Sequence, residues 1–201
     1  MLEQEIGVVI YTEEQIQDRV KELAKQIAEN YYFLYMQNPE DFKLILVGVL
    51  KGCNPFMSDL SKEINRAFEK LHGGKFLCLF PEYISIESRD KKNKQKRPKW
   101  LLDTRMDLAG AHVLIVEDII HSGVTLSHIA STLDPNGSRA KLGRPASLEV
   151  CALLDRISKD KRVRAKYVGF ELNGDEWVVG YGMDSGEIGR LLPCIHALCQ
   201  E

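Results

Sequence analysis

From Val113 to Leu126 the chain reads VLIVEDIIHSGVTL. Glu117 and Asp118 stand side by side just after a run of branched apolar residues, and His121, Ser122, Gly123, Val124 and Thr125 follow them. Adjacent carboxylates at the end of an apolar run repel each other, so the pattern persists only where a cation or hydrogen-bond donors answer them. The hydroxyls of a sugar are such donors, and an acidic residue holds ribose in this way in dinucleotide-binding folds. The turn from Ser122 to Thr125 leads into a helix. It can aim backbone N–H groups, the Ser and Thr hydroxyls and the helix's positive end at one phosphate. Gly123 allows close backbone approach. An anion site beside a sugar-hydroxyl site describes the binding of a 5-phosphoribosyl group.

Such a loop needs a sheet behind it. In open α/β sheets ligands bind at the carboxyl ends of the strands, and Glu117 and Asp118 fall there, just past the buried strand Val113 to Val116. The rest of the chain supplies matching elements. Thr12, with Gln15 three residues on, is a capping box, and Ile16, Val20, Leu23, Ile27 and Tyr31 recur at helical spacing after it. LILVGVL, Leu44 to Leu50, is a continuous apolar run suited to a parallel strand buried on both faces. A helix is expected from Pro55 to His72, a strand from KFLCLF to Ile86, and a helix from Leu126 to Leu133. Further strands are expected over Leu148 to Leu154 and Trp177 to Tyr181. Strands alternating with helices predict an α/β fold with a mainly parallel twisted sheet flanked by helices, in a single domain. The apolar segment Ile6 to Ile10 pairs either within the chain or across a subunit boundary.

Composition narrows the class. A chain of 201 residues is long enough for one sizeable core, and 44% apolar with 28% charged residues is ordinary for a soluble protein. Lys and Arg number 27 against 29 Asp and Glu, and a net charge of -2 argues against nucleic acid as the main partner. No apolar run approaches the roughly 20 residues that cross a bilayer, and the N-terminus lacks a secretory signal, so no membrane partner is expected. Cys53, Cys78, Cys151, Cys194 and Cys199 form no CxxC pair and read as reduced thiols of a cytoplasmic protein. DKKNKQKRPK, Asp90 to Lys99, is basic and without apolar residues. It reads first as a solvated loop, a reading compatible with a lid reaching toward an anionic ligand.

VLIVEDIIHSGVTL resembles the phosphoribosyl-pyrophosphate signature of type I phosphoribosyltransferases, and longer segments resemble the hypoxanthine-guanine branch of that family. LVGVLKG, Leu46 to Gly52, is similar to the family's first loop, in which a lysine meets pyrophosphate after a cis peptide. Ser88 resembles the start of its mobile second loop. YVGFELNGDEWVVGYGMDSGEIGR, Tyr167 to Arg190, resembles its purine-binding hood. The resemblance implies a type I fold with a small hood built from both chain ends, about 1–10 and 165–201, and a mobile active-site loop over 88–100. It implies purine salvage: Mg²⁺-dependent transfer of 5-phosphoribosyl from phosphoribosyl pyrophosphate to guanine, hypoxanthine or xanthine, in a homodimer or homotetramer.

The same resemblance assigns residues. Glu117 and Asp118 take the ribose hydroxyls, and Ser122, Gly123, Val124 and Thr125 hold the 5'-phosphate. Lys51, Gly52, Arg190 and Ser88 face pyrophosphate, and Asp184, with Glu117 and Asp118, helps place Mg²⁺. Trp177 stacks on the purine, with Val178 and Met183 at its exocyclic edge. Three positions depart from the family pattern. His121 stands where an aspartate handles the purine N7 proton, and is the candidate proton acceptor, or else stays neutral and acts only as a hydrogen-bond partner. Arg156 stands where a lysine donates to the 6-oxo group, and its planar fork would suit an additional oxo group, as in xanthine. Arg89 stands where a tyrosine follows the loop serine. A rival reading keeps the fold and drops the chemistry: a regulator that senses phosphoribosyl pyrophosphate or nucleotide. A nicotinamide-dependent dehydrogenase would need GxGxxG after the first strand, which this sequence lacks.

Overall fold

In a computed structural model of the chain, residues 6–89, 95–133, 142–158, 161–174 and 176–198 are described. Among them nine strands and three helices follow one another. Six strands form the main sheet in the order β4-β3-β2-β5-β6-β7. Strands β2 (Leu44–Leu50), β3 (Leu79–Arg89), β5 (His112–Ile120), β6 (Ser147–Arg156) and β7 (Tyr167–Leu172) run parallel. Strand β4 (Gln95–Leu102) lies antiparallel to β3 at one edge. A second sheet of three antiparallel strands joins both chain ends: β1 (Ile6–Tyr11), β9 (Ile195–Leu198) and β8 (Val178–Val179). The apolar N-terminal strand therefore pairs within the chain.

Alternation along the central strands divides the core into two layers. Leu44 and Leu46 of β2 and Leu114 and Val116 of β5 face helices α1 (Glu13–Gln37) and α2 (Asn54–Leu71). Ile45, Val47, Val113 and Ile115 face the other way, toward Ile129 and Leu133 of α3 (Val124–Leu133). Side chains that point alternately to the two faces need apolar residues at every position when both faces are covered. This is why β2 and β5 were legible as unbroken apolar runs. Helix α1 begins at the expected capping box: Gln15 N–H donates to Thr12 Oγ1 at 3.2 Å, and Thr12 N–H to Gln15 Oε1 at 2.9 Å.

Several boundaries differ from the sequence reading. Strand β3 starts at Leu79 rather than Lys75, because its ladder with β2 begins with Leu79 opposite Leu44. Strand β8 is only Val178–Val179, since Gly180 (φ 105°) and Tyr181 (φ 46°) turn the chain away. The segment expected as a loop over 88–100 is largely strand on both sides of residues 90–94, which lie outside the described residues. Ile86 opposes Trp100, both pack on the core, and Trp100 Nε1 donates to His128 at 3.2 Å. Strand β4 is a sheet edge, and lysines are a common feature of such edges. The expected hood is corrected too. Tyr167–Leu172 belongs to the main sheet as β7, and residues 1–5 and 199–201, with Cys199, lie outside the described residues. Cys53, Cys78, Cys151 and Cys194 are free thiols.

Phe68 of α2 is fully buried and meets Tyr32 and Tyr35 edge-on, with ring centroids 5.6 and 5.4 Å away. Phe68→Ala is expected to cost about 3–5 kcal/mol of unfolding free energy in urea titration. Phe33→Ala, at an exposed position of α1, is expected to change stability by no more than about 0.5 kcal/mol.

Candidate active site

The strand order reverses between β2 and β5. After β2 the chain crosses to β3 on one side, and then returns to lay β5 on the other. Such a switch point leaves a crevice beyond the carboxyl ends of the two strands. A cavity of about 540 Å³ opens there. Gly52, Glu117, Asp118, His121, Ser122, Gly123, Val124, Thr125, Trp177, Val178, Met183 and Asp184 all line it. The sugar, phosphate and base positions expected from sequence thus share one space.

Glu117 is buried and Asp118 half-buried. Burial first, and then the neighbouring Asp118 charge and a hydrogen bond with it, push the Glu117 carboxyl well above the ordinary glutamate range. Burial also raises Asp118, against the opposing pull of its hydrogen bonds with Glu117 and the Ile119 N–H and of the Arg190 charge. Room for Asp118 comes from Gly52: a Cβ there would sit 1.6 Å from Asp118 Oδ2. Gly182 in turn stands over Gly52, with φ 102° and space for a Cβ only 1.9 Å from the Gly52 carbonyl oxygen. Backbone, not side chain, fills the contact between the first loop and the hood. The peptide bond between Leu50 and Lys51 is cis, as the family resemblance implied.

Gly123 has φ 70°, and α3 starts at the next residue. The loop is braced from behind, where Arg162 N–H donates to the Ser122 carbonyl at 3.1 Å. Above the cavity, Trp177 Nε1 donates to the Asp184 carbonyl at 3.3 Å, which sets the indole at the mouth. Asp184 is engaged on both oxygens: Oδ1 lies 2.7 Å from Arg190 Nη2, and Oδ2 accepts the Glu187 N–H at 2.6 Å. Lys51 and Arg190 do not line the cavity but reach this loop. Lys51 Nζ is 2.9 Å from Glu187 Oε1, and Arg190 Nη2 is 3.1 Å from Glu187 Oε2. Arg190 Nε is buried without a partner. Ser88 lies at the end of β3, with its side chain outside the described residues.

Arg156 departs from its expected place. It is absent from the cavity lining, and its buried guanidinium is spent on other groups. Nε donates to His121 Nδ1 at 3.0 Å, Nη2 to the Glu176 carbonyl at 2.6 Å, and Nη1 to the Gly174 carbonyl. The planar fork therefore clasps the hood strand's approach instead of reaching a second oxo group on the base. The same contact engages His121. A guanidinium has no acceptor and does not lose its proton in proteins, so the nitrogen that it meets must be the bare one. The nitrogen with which a neutral imidazole would take a proton is thus already occupied.

The chain as a whole is similar to known proteins. The family model for the phosphoribosyl transferase domain matches residues 10–186. The chain belongs to the phosphoribosyltransferase family. A hypoxanthine-guanine phosphoribosyltransferase of Aquifex aeolicus is 35% identical over 190 residues, 94% of this chain and 92% of the relative. A hypoxanthine phosphoribosyltransferase of Escherichia coli is 35% identical over 189 residues, 93% of this chain and 92% of the relative. A solved structure of a hypoxanthine phosphoribosyltransferase from Staphylococcus aureus superposes with a TM-score of 0.76 at 32% identity, covering 96% of this chain and 92% of that one.

Within this phosphoribosyltransferase site, sequence reading missed Glu187. It adopts φ 71°, which is uncommon for a residue with a side chain, and bridges both cations assigned to pyrophosphate. Lys51 first, and then Arg190, hold its carboxyl below the usual range. No spacing in the sequence signals a pair 136 residues apart. Glu187→Gln is expected to release Lys51 and Arg190 and to tighten pyrophosphate binding several-fold in calorimetric titration.

Glu117 also predicts a pH effect. Above the ordinary value of 4.5 the unfolded chain has released this proton while the folded protein keeps it. The folded state then binds more protons, so stability falls as pH rises from 4.5 through the raised folded value. Glu117→Gln is expected to flatten that fall and to raise Tm at neutral pH in scanning calorimetry without ligand.

Proposed function

We propose that this phosphoribosyltransferase transfers 5-phosphoribosyl from phosphoribosyl pyrophosphate to a 6-oxopurine in purine salvage, giving a nucleoside monophosphate and pyrophosphate. One observation carries the reading: the acid pair, the phosphate loop and the hood tryptophan line a single cavity at the sheet's switch point. Glu117 and Asp118 accept from the ribose hydroxyls. Backbone amides and hydroxyls of Ser122 to Thr125 grip the 5'-phosphate, aided by the start of α3. Lys51, Gly52 and Arg190 take the pyrophosphate, whose oxygens can accept from the unpartnered Arg190 Nε. Trp177 covers the base, with Val178 and Met183 at its edge.

As the bond from C1' to the pyrophosphate oxygen lengthens, positive charge grows on the sugar, and the carboxylates of Glu117 and Asp118 stabilise it. A ring nitrogen of the purine then bonds to C1', and pyrophosphate leaves with the electron pair of the broken bond. The donor set suits Mg²⁺. Among the described residues no cluster of three or more ligating side chains exists, and Mg²⁺ is commonly held by one or two carboxylates with substrate phosphates completing its shell. Glu117 and Asp118 would hold it, with Asp184 lining the same cavity. Bound there, Mg²⁺ would neutralise charge on the leaving pyrophosphate. No helix among the described residues is long and apolar enough to cross a membrane, and the free thiols suit the cytoplasm. Exposed Phe33 and Met36, on one face of α1, suit a homodimer or homotetramer.

A pyrophosphate-release assay with Mg²⁺, donor and each of guanine, hypoxanthine and xanthine tests this reading. Asp118→Asn is expected to lower kcat by about 10²–10³-fold. Lys51→Ala is expected to raise KM for the donor about tenfold and leave KM for the purine nearly unchanged. Donor binding without pyrophosphate release for any base would instead identify a regulator that senses the donor.

A further inference from the structure

Gly180 and Met183 pair across a two-residue turn: each donates its N–H to the other's carbonyl at 3.0 Å. The residues at its tip, Tyr181 and Gly182, both have positive φ, 46° and 102°. Tight turns with this backbone favour Asn, Asp or Gly at the first tip position, because a Cβ there crowds the backbone. Tyr181 is none of these. A residue held in such a conformation persists only where its surroundings impose it.

The surroundings here are α1 and α2. Tyr181 is buried in the core layer that both helices join. Its hydroxyl donates to Asp59 Oδ2 of α2 at 2.7 Å, and Gln17 Nε2 of α1 donates to the same oxygen at 2.9 Å. We infer that Tyr181 is a positioning residue for the pyrophosphate site: its hydroxyl, moored on Asp59, fixes the turn that sets Arg190 and the first loop. The inference rests on the proposed assignment of Lys51, Gly52 and Arg190 to pyrophosphate.

The mooring is transmitted through one glycine. Gly182 N–H donates to the Arg190 carbonyl at 3.0 Å, and the Gly182 carbonyl accepts from Arg190 Nη1 at 2.5 Å. On its other side Gly182 lies against Gly52, the residue after Lys51, where a Cβ would sit 1.9 Å from the Gly52 carbonyl oxygen. Tyr181 N–H donates to the Leu192 carbonyl at 2.7 Å, which ties the turn to the chain just past Arg190. A displaced Tyr181 would therefore move both the carbonyl that orients one guanidinium nitrogen and the surface on which the first loop rests. Tyr181 is absent from the cavity lining and acts through these contacts.

Tyr181→Phe keeps the buried ring and removes only the hydroxyl. Calorimetric titration with inorganic pyrophosphate, at a temperature where every variant is folded, should show about three- to tenfold weaker binding in this variant, the worth of one hydrogen bond. Asp59→Leu should show a similar loss. Asp59→Asn should keep the parental affinity, because an amide oxygen can accept from both Tyr181 and Gln17. The double variant Tyr181→Phe, Asp59→Leu should bind no more weakly than the weaker single variant, since both remove the same bond. A role in stability alone would lower Tm in Tyr181→Phe and leave pyrophosphate affinity at the parental value, and that result overturns the inference. So does an Asp59→Asn variant as weak as Asp59→Leu. If the unsubstituted protein does not bind pyrophosphate, the assignment of Lys51, Gly52 and Arg190 falls, and the inference with it.

Discussion

Two carboxyls buried together at the end of β5 are the constraint around which the site is arranged. Burial disfavours the charged form of each and raises both carboxyls, and the Asp118 charge raises Glu117 further. Such a pair costs stability in the empty protein and is useful only when something positive arrives. The sheet provides for that arrival. Because the strand order reverses beside β5, the acids open onto a crevice instead of a packed layer. Because Gly52 and Gly182 bring backbone against backbone, Asp118 has room at the crevice wall where a Cβ would exclude it.

The other charges of the site follow the same logic of partners that can be exchanged. Glu187 holds Lys51 and Arg190, and Asp184 holds Arg190. On the proposed reading, a bound pyrophosphate would compete with Glu187 for the two cations. Ligand binding is then an exchange between ionic partners, and its net gain is smaller than the sum of the new contacts. The buried and unpartnered Nε of Arg190 is the exception, with no bond to give up before it meets an anion.

Sequence legibility tracked how local each signal was. Strands β2 and β5 announce themselves as apolar runs because both faces of the sheet are covered, and α1 does so through its capping box and apolar stripe. Strands β4, β7 and β9 carry mixed sequences on sheet edges or in the hood, where one side meets solvent and alternation is weak. The signature loop was legible because all its parts are consecutive. Glu187 was not, because its partner Lys51 is joined to it only by the fold. Arg156 was placed at the correct strand end, but the sequence does not say which way a guanidinium there turns.

That direction gives the two principal departures from the family pattern a common cause. Taken separately, a histidine for an aspartate removes an acceptor, and an arginine for a lysine merely keeps a charge. Together they bond to each other, and the bond has a fixed polarity because the guanidinium can only donate. An aspartate beside a lysine would also form a contact, but the carboxylate would still present an acceptor to the base. Here the accepting atom of His121 faces Arg156, and the same guanidinium holds the Gly174 and Glu176 carbonyls that lead to Trp177.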